Sequence, residues 1–508
     1  MRLSELLKSL PEAEVEGNAD LEVSHLAYDS RKVKEKGLFA AILGHKTDGH
    51  RFIDQAIMKG AQVVVIEKEG YAVPPSITRI KVKNSRQALS RLSACFFGYP
   101  AEHLHLIGIT GTNGKTTTSY LVEAILKTAG FSVGVLGTIY YRYGSKVQAA
   151  PVTTPESLDL QGLLADMVEE KITHVVMEVS SHALDQGRLG DICFEQAVFT
   201  NLSQDHLDYH QDMEEYFQVK TGMFYHHLKA GAGGVAIINR DDPYGQRLWE
   251  EWKGPKQDFG LEKRCAYFPL EVHSDLEGVR GKIQTVQGTY AIKSSLIGRY
   301  NMYNILAAWA VGEGFLLPGE IIQKGIESLN QVPGRMEPVP NSQGLTILVD
   351  YSHTPEALRL ALLSLKRVGH GKILTVFGCG GDRDPHKRPL MGRVAGELSH
   401  LSVVTSDNPR SEDPDKIIEE IEQGLKKNHL PCLDWKELKE IPSSPGYVLL
   451  PDRRKAIALA VGLAKPGDQV LIAGKGHETY QILGTKMLDF DDREEARKAL
   501  EANDVQHR

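Results

Sequence analysis

Short apolar runs alternate with polar, amphipathic stretches along most of the chain. In the first hundred residues, runs of strand length lie at 38–43, 61–67 and 77–82. Similar runs recur later, as THVVMEVS, EQAVFTNL, GGVAIIN, TILVDYS, KILTVFG, LSVVTSD and DQVLIAG. Apolar strands that alternate with helices are typical of parallel sheets covered by helices, so the pattern predicts an α/β fold. Strand-like alternation within 265–297 predicts an antiparallel edge of the second sheet.

Two clusters of residues that break helices and strands divide this pattern. Gly98-Tyr99-Pro100 follows a predicted helix at 85–97, and Gln331-Val332-Pro333-Gly334 precedes the last group of strands. A chain of 508 residues is expected to form about three domains. The predicted domains are a small N-terminal α/β domain at 1–98, a central domain with a mostly parallel sheet at 99–334, and a C-terminal Rossmann-like domain at 335–508.

Composition and charge narrow the possible functions. Hydrophobic residues make up 41% and charged residues 25% of the chain, which is typical of a globular protein. The net charge of −7 disfavours a general nucleic-acid or membrane-surface binder, because such proteins are usually basic. The five cysteines include no CxxC pair, so neither a zinc site nor a redox pair is indicated. We see no signal peptide and no apolar run near the ~20 residues of a membrane span, and we expect a cytoplasmic monomer.

The strongest chemical signal is a strand, a glycine-rich turn and a helix in succession at Gly108–Thr117, GITGTNGKTT. Backbone N–H groups of such a turn and the positive end of the helix dipole bind phosphate. Lys115 can reach the β and γ phosphates, and the Thr116 hydroxyl can ligate Mg²⁺. Position 109 is Ile where the usual pattern has Gly, so the loop is a shortened one. The alternative is a glycine-rich turn without a ligand. The predicted ATP-binding residues of this P-loop ATPase-like domain are Gly111, Thr112, Asn113, Gly114, Lys115, Thr116 and Thr117.

Two further features contain residue types that can ligate metal ions. Glu178 ends an apolar run at the expected carboxyl edge of a sheet, where a carboxylate can hold Mg²⁺ opposite a phosphate loop. The alternative for Glu178 is an acid at a helix N-terminus. His206 and His210 are four residues apart, so in a helix they would share one face and could form part of a zinc site. No third ligand has suitable local spacing, which disfavours zinc.

The loop GTNGKTT resembles that of the Mur ligases and of their relatives, the folylpolyglutamate synthetases. Further blocks that resemble this family follow in the same order and cover most of the chain. They are Thr153-Thr154-Pro155, Met177–His182, Asn201–Asp208, Asn301–Asn304, Pro333-Gly334-Arg335 and Asp350–Pro355. Within the family, the chain is most similar to the members that add the third residue of the peptidoglycan stem peptide.

The resemblance implies catalytic and metal-binding roles for residues that the sequence pattern alone does not single out. Lys220 would be carbamylated by CO₂ and would then ligate Mg²⁺, which requires an unprotonated amine and so a depressed pKa. His206 would help to bind a second Mg²⁺, whereas His210 has no implied role. The implied catalytic residues are Lys115, Glu178, His206 and Lys220, and the implied metal ligands are Thr116, Glu178, His206 and Lys220.

Other residues resemble the family's contacts to ATP. Asn304 resembles an adenine-side contact and Arg335 a phosphate-side contact, while Asp350 and His353 match a nucleotide-contacting segment. Arg335 follows the predicted domain boundary, so it would reach ATP only when the domains close. Without the resemblance, a surface ion pair is an equal alternative for Arg335.

Two groups of residues resemble the family's contacts to its other substrates. The segments Asp29-Ser30-Arg31 and Gly44–Phe52 resemble elements that bind uridine diphosphate. The residues implied to contact the UDP-sugar peptide are Ser30, Thr153, Thr154, Ser180, Gln186 and Arg188. The residues implied to contact the incoming amino acid are Arg383, Asp407, Asn408, Pro409, Arg410, Gly474 and Glu478. For Asp407–Arg410 the alternative is a simple turn, since Asn-Pro favours turns.

We therefore predict an ATP-dependent amide-bond ligase with Mg²⁺ as cofactor. It would join meso-diaminopimelate to UDP-N-acetylmuramoyl-L-alanyl-D-glutamate through an acyl phosphate, because Arg410 can pair with the second carboxylate of diaminopimelate. The alternatives are a ligase of the same family that adds L-lysine, D-alanyl-D-alanine or glutamate to folate, an ATP-driven motor or switch, and an inactive nucleotide-binding regulator. A motor or switch would need the full GxxxxGK[ST] loop, and the intact Lys115 and Glu178 disfavour an inactive protein.

Overall fold

The computed structural model describes residues 1–44, 47–229, 233–369 and 371–506. His45 and Lys46, which belong to the segment Gly44–Phe52, lie outside the described residues. The strands form three large sheets and two small antiparallel ones, and each large sheet lies within one predicted domain. We call the parts of the chain that carry the large sheets the first, second and third units. The α/β prediction is confirmed, whereas the boundaries at 98/99 and 334/335 remain predictions.

The first unit contains a five-stranded sheet. Its strands are β1 (Glu14–Glu16), β2 (His25–Ala27), β3 (Gly37–Ala40), β4 (Ala61–Ile66) and β5 (Thr78–Lys81). Its helices are α1 (Leu3–Leu6), α2 (Ile53–Met58) and α3 (Ser85–Phe96). The strand order is β1-β5-β4-β3-β2, and only β1 is antiparallel to its neighbour. The three strands and the long helix predicted here are present within a few residues, whereas β1 and β2 are too short to show a pattern.

The second unit contains an eight-stranded sheet. Its strands are β6 (His105–Thr110), β7 (Val133–Leu136), β8 (Tyr140–Tyr143), β9 (Lys146–Ala149), β10 (His174–Glu178), β11 (Gln196–Phe199), β12 (Val235–Asn239) and β13 (Lys256–Phe259). The order is β13-β12-β11-β6-β10-β7-β8-β9, parallel from β13 to β7 and antiparallel at β8 and β9. The central strands β6, β10 and β11 are almost wholly buried, since both faces are covered, and this explains their continuous apolar sequences.

The prediction for 265–297 was wrong in one respect. These residues form a separate antiparallel sheet of β14 (Phe268–Asp275), β15 (Gly278–Gln284) and β16 (Thr289–Ser294), not an edge of the eight-stranded sheet, whose antiparallel edge is β8 and β9. Alternate residues of the small sheet, Val279, Ile283 and Ile292, are buried in the same core cluster as Trp309. A two-residue period specifies a sheet with one buried face, but it does not specify which neighbour covers that face.

The described residues of the second unit include seven α-helices. They are α4 (Lys115–Thr128), α5 (Ser157–Glu169), α6 (Ser181–Asp185), α7 (Met213–His227), α8 (Pro243–Glu251), α9 (Asn301–Gly314) and α10 (Gly319–Ser328). The phosphate-loop helix α4 packs against α9 and α10, and α3 of the first unit packs against α5. Among the described helices, none combines the length and apolar character that a membrane span requires.

The third unit contains a six-stranded sheet of β17 (Glu337–Pro338), β18 (Thr346–Asp350), β19 (Ile373–Phe377), β20 (Leu401–Val404), β21 (Gly446–Leu449) and β22 (Gln469–Ala473). The order is β17-β18-β22-β19-β20-β21, with only β17 antiparallel. Its helices are α11 (Pro355–Val368), α12 (Lys387–Leu398), α13 (Pro414–Lys427), α14 (Arg453–Leu463) and α15 (Asp492–Gln506), and a hairpin of β23 (Tyr480–Leu483) and β24 (Lys486–Asp489) follows β22. The carboxyl ends of the parallel strands lie at one edge, where ligands bind in open α/β sheets.

Candidate active site

The glycine-rich loop between β6 and α4 is shaped by two glycines in the left-handed region of backbone space. Gly111 has a φ of +137° and Gly114 a φ of +88°. A Cβ atom at Gly111 would overlap Thr200 Oγ1, and one at Gly114 would lie 2.5 Å from Asn304 Oδ1. Larger residues at these two positions would therefore be strained and would also clash with their neighbours.

Residues that follow β11 hold this loop in place. The Asn201 carbonyl accepts from the Thr112 N–H at 2.9 Å, and Asn201 Oδ1 accepts from the Asn113 N–H at 2.9 Å. Ser203 N–H donates to Thr112 Oγ1 at 3.0 Å, and Thr200 Oγ1 donates to the Asn113 carbonyl at 2.7 Å. The blocks at 111–117 and 201–208 are thus parts of a single structure.

Two lysines meet at one carbonyl oxygen of the loop. Lys115 Nζ donates to the carbonyls of Gly111 and Thr112, both at 2.8 Å, and Lys220 Nζ donates to the Gly111 carbonyl at 3.0 Å. Lys220 is only 1% exposed, and its Nζ lies 4.7 Å from the centre of the Tyr216 ring. Burial, and then the charge of Lys115, hold the pKa of Lys220 well below its usual range. Burial also lowers the pKa of Lys115, so this site disfavours positive charge unless an anion joins it.

Oxygen atoms suited to a hard cation lie on the other side of the loop. Thr116 Oγ1 donates to Glu178 Oε2 at 2.9 Å, and the same carboxylate accepts from Thr138 N–H at 3.0 Å and Thr138 Oγ1 at 2.8 Å. Glu178 is buried at the end of β10. Within the described residues, no three His, Cys, Asp or Glu side chains are grouped as a metal site. A cation here would therefore need hydroxyl oxygens, substrate oxygens or a modified side chain as further ligands.

Arg335 of the third unit reaches the phosphate loop of the second unit. Its Nη2 donates to Thr116 Oγ1 at 3.1 Å, and its guanidinium lies 4.7 Å from the centre of the Tyr351 ring. Its Nε is buried and has no hydrogen-bond partner among the residues that the structure describes. A buried donor beside a phosphate loop is chemically suited to an anionic ligand.

His206 lies in a turn outside any helix, so His206 and His210 do not share a helix face. His206 has a φ of +56°, and its carbonyl accepts from the His210 N–H at 2.9 Å. The His206 ring lies 4.9 Å from the His182 ring, and burial lowers the pKa of His206 to about 3. Its imidazole is therefore neutral near pH 7, which is the form that ligates metals. His210 points elsewhere, with its Nε2 2.9 Å from Ser181 Oγ.

Asp205 has a central position in the site, although it was not among the predicted residues. Its buried carboxylate lies 3.6 Å from His353 Nε2, 3.6 Å from Lys387 Nζ and 3.4 Å from His206 Nε2. Burial alone would raise the pKa of Asp205, but interactions with the neighbouring His206 ring, the Lys387 ammonium and the hydrogen-bonding His353 ring hold that pKa well below its usual range. Its place in the block Asn201–Asp208, directly after a buried strand, was the available signal.

A cavity of about 420 Å³ lies beside the phosphate loop, between the second and third units. Its walls include Asn113, Gly114, Thr116, Thr117, Asp241, Tyr300, Tyr303, Asn304, Arg335, Asp350, Glu356 and Leu360. Asn304 lines the cavity, but its amide is engaged, since Oδ1 accepts from Thr118 Oγ1 and Nδ2 donates to Asn301 Oδ1. Asp350 accepts from the Met336 N–H at 2.7 Å and so fixes the backbone next to Arg335. The size and lining suit a nucleotide whose phosphates lie on the loop.

A second cavity, of about 900 Å³, lies between the first and second units. Asp29 and Arg188 line it, whereas the Ser30 side chain is buried behind it and donates to Gln55 Oε1 at 2.7 Å. Arg188 is held by Gln186 Oε1 and by the Thr154 carbonyl. The structure thus brings Arg188 to this groove, where Gln186 holds its guanidinium, but leaves the buried Ser30 hydroxyl outside the lining.

The groove connects with the phosphate-loop site through a series of hydroxyl groups. Thr153 Oγ1 lies 3.1 Å from Thr138 Oγ1, which in turn donates to Glu178. Thr154 Oγ1 donates to the Glu178 carbonyl at 2.8 Å and accepts from the Ser180 N–H at 3.0 Å. Val152 and Pro155, on either side of these two threonines, line the groove, so one short segment links the groove to Glu178.

The third group of predicted residues lies at the carboxyl edge of the third unit's sheet. Asn408 Nδ2 donates to Glu478 Oε2 at 2.8 Å, and Lys475 Nζ contacts Asn408 Oδ1 at 3.1 Å and Glu478 Oε2 at 3.2 Å. Lys475 is fully buried and was not among the predicted residues, although it lies between Gly474 and Glu478, which were. Burial, and then the charge of Asp407, raise the pKa of Glu478.

Arg410 borders this group. Pro409 precedes it, its φ is +53°, and its Nη1 donates to the Gly381 carbonyl at 2.7 Å. A Cβ atom at Gly474 would lie 2.5 Å from Asp407 Oδ2, so a glycine is needed where β22 ends. Arg383 is exposed, and its Nη1 donates to the Asp382 carbonyl at 3.0 Å. The structure brings Asp407, Asn408, Arg410 and Glu478 together and leaves Arg383 at the surface.

Comparison with known proteins gives consistent matches along the chain. Models described as "Mur ligase family, catalytic domain", "Mur ligase middle domain" and "Mur ligase, glutamate ligase domain" match residues 22–97, 109–312 and 334–476. The chain is 48% identical to a UDP-N-acetylmuramoyl-L-alanyl-D-glutamate–2,6-diaminopimelate ligase from Geobacter sulfurreducens, over 99% of both chains.

Several solved structures are similar to this one. A UDP-N-acetylmuramoyl-L-alanyl-D-glutamate–2,6-diaminopimelate ligase matches with 32% identity and a TM-score of 0.67, over 99% of both chains. A MurF ligase from Thermotoga maritima in complex with ADP matches with 20% identity and a TM-score of 0.64, over 95% of this chain and 98% of that one. At that identity, the second likeness concerns the fold alone.

Proposed function

The chain belongs to the Mur ligases, a family of ATP-dependent ligases, and we propose that it joins meso-2,6-diaminopimelate to UDP-N-acetylmuramoyl-L-alanyl-D-glutamate. One structural observation supports this proposal. Two cavities and one polar cluster lie around Thr116, Glu178 and Arg335, and we interpret each of the three as the site of one substrate. They are the cavity beside the phosphate loop, the groove between the first two units, and the edge at Arg410 and Glu478.

The chemistry explains why an amide ligase needs three such sites. A carboxylate does not condense directly with an amine at neutral pH, because hydroxide is a poor leaving group. If a carboxylate oxygen of the dipeptide attacks the γ-phosphorus of ATP, ADP leaves and an acyl phosphate forms. The amine of the amino acid then attacks the acyl carbon, the C–O bond breaks, phosphate leaves and the amine loses a proton.

The loop lysine and the arginine of the third unit neutralise charge in the first step. Lys115 Nζ would exchange its own loop carbonyls for the γ-phosphoryl group, and Arg335 would donate to the same group through Nη2 and through Nε, which has no partner among the described residues. Arg335 reaches Thr116 only because the third unit contacts the second. The same contact keeps water away from the acyl phosphate, which water would hydrolyse.

The residues at the loop fit Mg²⁺, which prefers oxygen ligands. Thr116 and Glu178 would hold one ion at the phosphates, and His206, with a modified Lys220, would hold a second near the acyl group. When bound, these ions supply positive charge to the transferring phosphoryl oxygens. The buried Lys220 amine, with its lowered pKa, is available to CO₂ as a nucleophile, and a carbamate would convert this amine into an anionic oxygen ligand.

We further propose the domain limits 1–98, 99–334 and 335–508, and a monomer that acts in the cytoplasm. The five cysteines are unpaired in the described structure, which is consistent with a reducing compartment. Size-exclusion chromatography coupled to light scattering would test the monomer.

The Lys220→Ala variant is expected to be nearly inactive, because the carbamate and its metal-ligating oxygens are lost. Millimolar formate or acetate should restore part of the rate, since a short carboxylate can occupy the space of the missing group. Phosphate release measured with increasing carboxylate concentration tests this. Lys115→Ala is the matched control, because it lacks a cation and carboxylates should not restore it. Equal rescue of both variants, or a fully active Lys220→Ala, would contradict the carbamate.

Dependence of phosphate release on each substrate tests the proposed function as a whole. ATP turnover should require both UDP-N-acetylmuramoyl-L-alanyl-D-glutamate and meso-diaminopimelate, and should be negligible when either is omitted. Turnover with L-lysine in place of diaminopimelate would identify a lysine-adding ligase. Turnover without the nucleotide-sugar peptide would exclude this ligase.

A further inference from the structure

Asp205 joins the second unit to two different segments of the third unit. Its Oδ1 lies 3.6 Å from Lys387 Nζ at the start of α12, and its Oδ2 lies 3.6 Å from His353 Nε2 just before α11. The side chains of Asp205 and Lys387 are only 8% and 6% exposed, so water and salt screen their attraction weakly. A neighbouring contact, from Gln204 Nε2 to Asp384 Oδ2 at 3.4 Å, lies across the same boundary.

The same carboxylate also fixes the residue beside it. Asp205 Oδ1 accepts from the His206 N–H at 3.0 Å, and Asp205 Oδ2 lies 3.4 Å from His206 Nε2. His206 has a left-handed backbone, which is costly for a residue with a Cβ atom and persists where its surroundings hold it. One side chain therefore contacts both the incoming third unit and the turn that carries His206.

We propose that Asp205 is a positioning residue that couples docking of the third unit, through Lys387 and His353, to the placement of His206 beside the phosphate loop. Separation of the units would break the weakly screened contact between the Asp205 carboxylate and the Lys387 ammonium, so it is opposed at this point. Conversely, the docked state holds Asp205 where it orients His206. For turnover, the inference rests on the proposed ligase function, but the docking itself does not.

Small-angle X-ray scattering and ADP binding test the docking without any turnover. Asp205→Asn removes the charge and keeps the shape, and Lys387→Met keeps most of the length of the side chain. Each variant should have a larger radius of gyration than the unmodified protein. Affinity for ADP should stay the same, because neither residue lines the nucleotide cavity. An unchanged radius of gyration, or a loss of ADP binding in step with activity, would overturn the proposal.

Steady-state kinetics with a double-mutant cycle test the coupling. Each single variant should lower kcat by on the order of 10-fold at unchanged KM for ATP, and the double variant should be no slower than the slower single one. Lys387→Arg should keep most of the rate, because it keeps the charge. The exposed residues Asp191 and Lys416 provide matched controls, and Asp191→Asn and Lys416→Met should behave like the unmodified protein. Multiplicative losses in the double variant would refute the coupling.

Failure of the proposed function gives a different result from failure of this proposal. If the unmodified protein shows no phosphate release with both substrates, the ligase assignment fails, while the scattering comparison still decides whether Asp205 docks the third unit. If turnover is present and the variants keep the radius of gyration and rate of the unmodified protein, only the role of Asp205 is refuted.

Discussion

Lys115→Ala is expected to abolish ligation while the protein remains folded. Among the described residues, Lys115 Nζ donates only to the carbonyls of Gly111 and Thr112 in its own loop, so its removal breaks no hydrogen bond between units there. The loop backbone and the dipole of α4 remain and can still bind phosphate. What is lost is the mobile charge that follows the γ-phosphoryl group, and losses of this kind cost on the order of 100-fold or more in rate.

Phosphate release under saturating substrates and the thermal unfolding midpoint together measure this effect. Lys127→Ala is a suitable control, because Lys127 lies on the same helix but is paired with Glu123 and lies outside the nucleotide cavity. It should retain full activity. A rate for Lys115→Ala close to that of the unmodified protein would remove the phosphate-loop assignment, whereas a large fall in the unfolding midpoint would reassign Lys115 to stability.

The second large effect expected is discrimination between meso-diaminopimelate and L-lysine. Both molecules present an amine for attack, but only diaminopimelate carries a carboxylate and an ammonium at the far end. Arg410 can form two parallel hydrogen bonds with that carboxylate, and Glu478 can accept from the ammonium. Lysine would leave the Arg410 guanidinium without its anion, and sites built around a polar group reject analogues that lack it by up to ~10⁴-fold.

The ratio of kcat/KM for the two amino acids measures this discrimination. Arg410→Ala should lose both the preference and most of the activity, and Arg410→Lys should recover little, because an ammonium lacks the paired donors of a guanidinium. Arg383→Ala is the comparison, and it should have the smaller effect because Arg383 is exposed and contacts a carbonyl of its own segment. Comparable kcat/KM for lysine and diaminopimelate in the unmodified protein would show that the pocket is assigned wrongly.

Buried Lys475 accounts for part of this pocket that the sequence did not reveal. Its Nζ lies between Asn408 Oδ1 and Glu478 Oε2, so it fixes the orientation of the Asn408 amide and offsets the charge of Glu478. Gly474 and Glu478 were predicted on either side of it, but a lysine in a glycine-rich turn is usually exposed. Only the approach of the Asp407–Arg410 segment makes this lysine a buried partner.

The sequence by itself determined the features that depend on neighbours in the chain. The order of strands and helices follows from local runs of apolar residues, and the phosphate loop follows from Gly111, Gly114, Lys115 and Thr116 placed between a buried strand and a helix. These patterns are local, because backbone conformation and one-sided burial are set within a few residues. The sequence blocks that resemble the family also identified Glu178 and Arg335, and in the structure both of them hydrogen-bond with the Thr116 hydroxyl.

The tertiary structure alone decided which distant groups meet. It separated the strands at 268–294 from the main sheet, placed Ser30 behind its groove, put His206 in a left-handed turn, and set Asp205 against Lys387 and His353. The reason is that the sequence around a charged or hydroxyl side chain does not show which distant group that side chain will contact. A surface aspartate and a buried one look the same in a sequence, and they differ only once packing between units removes the water from one of them.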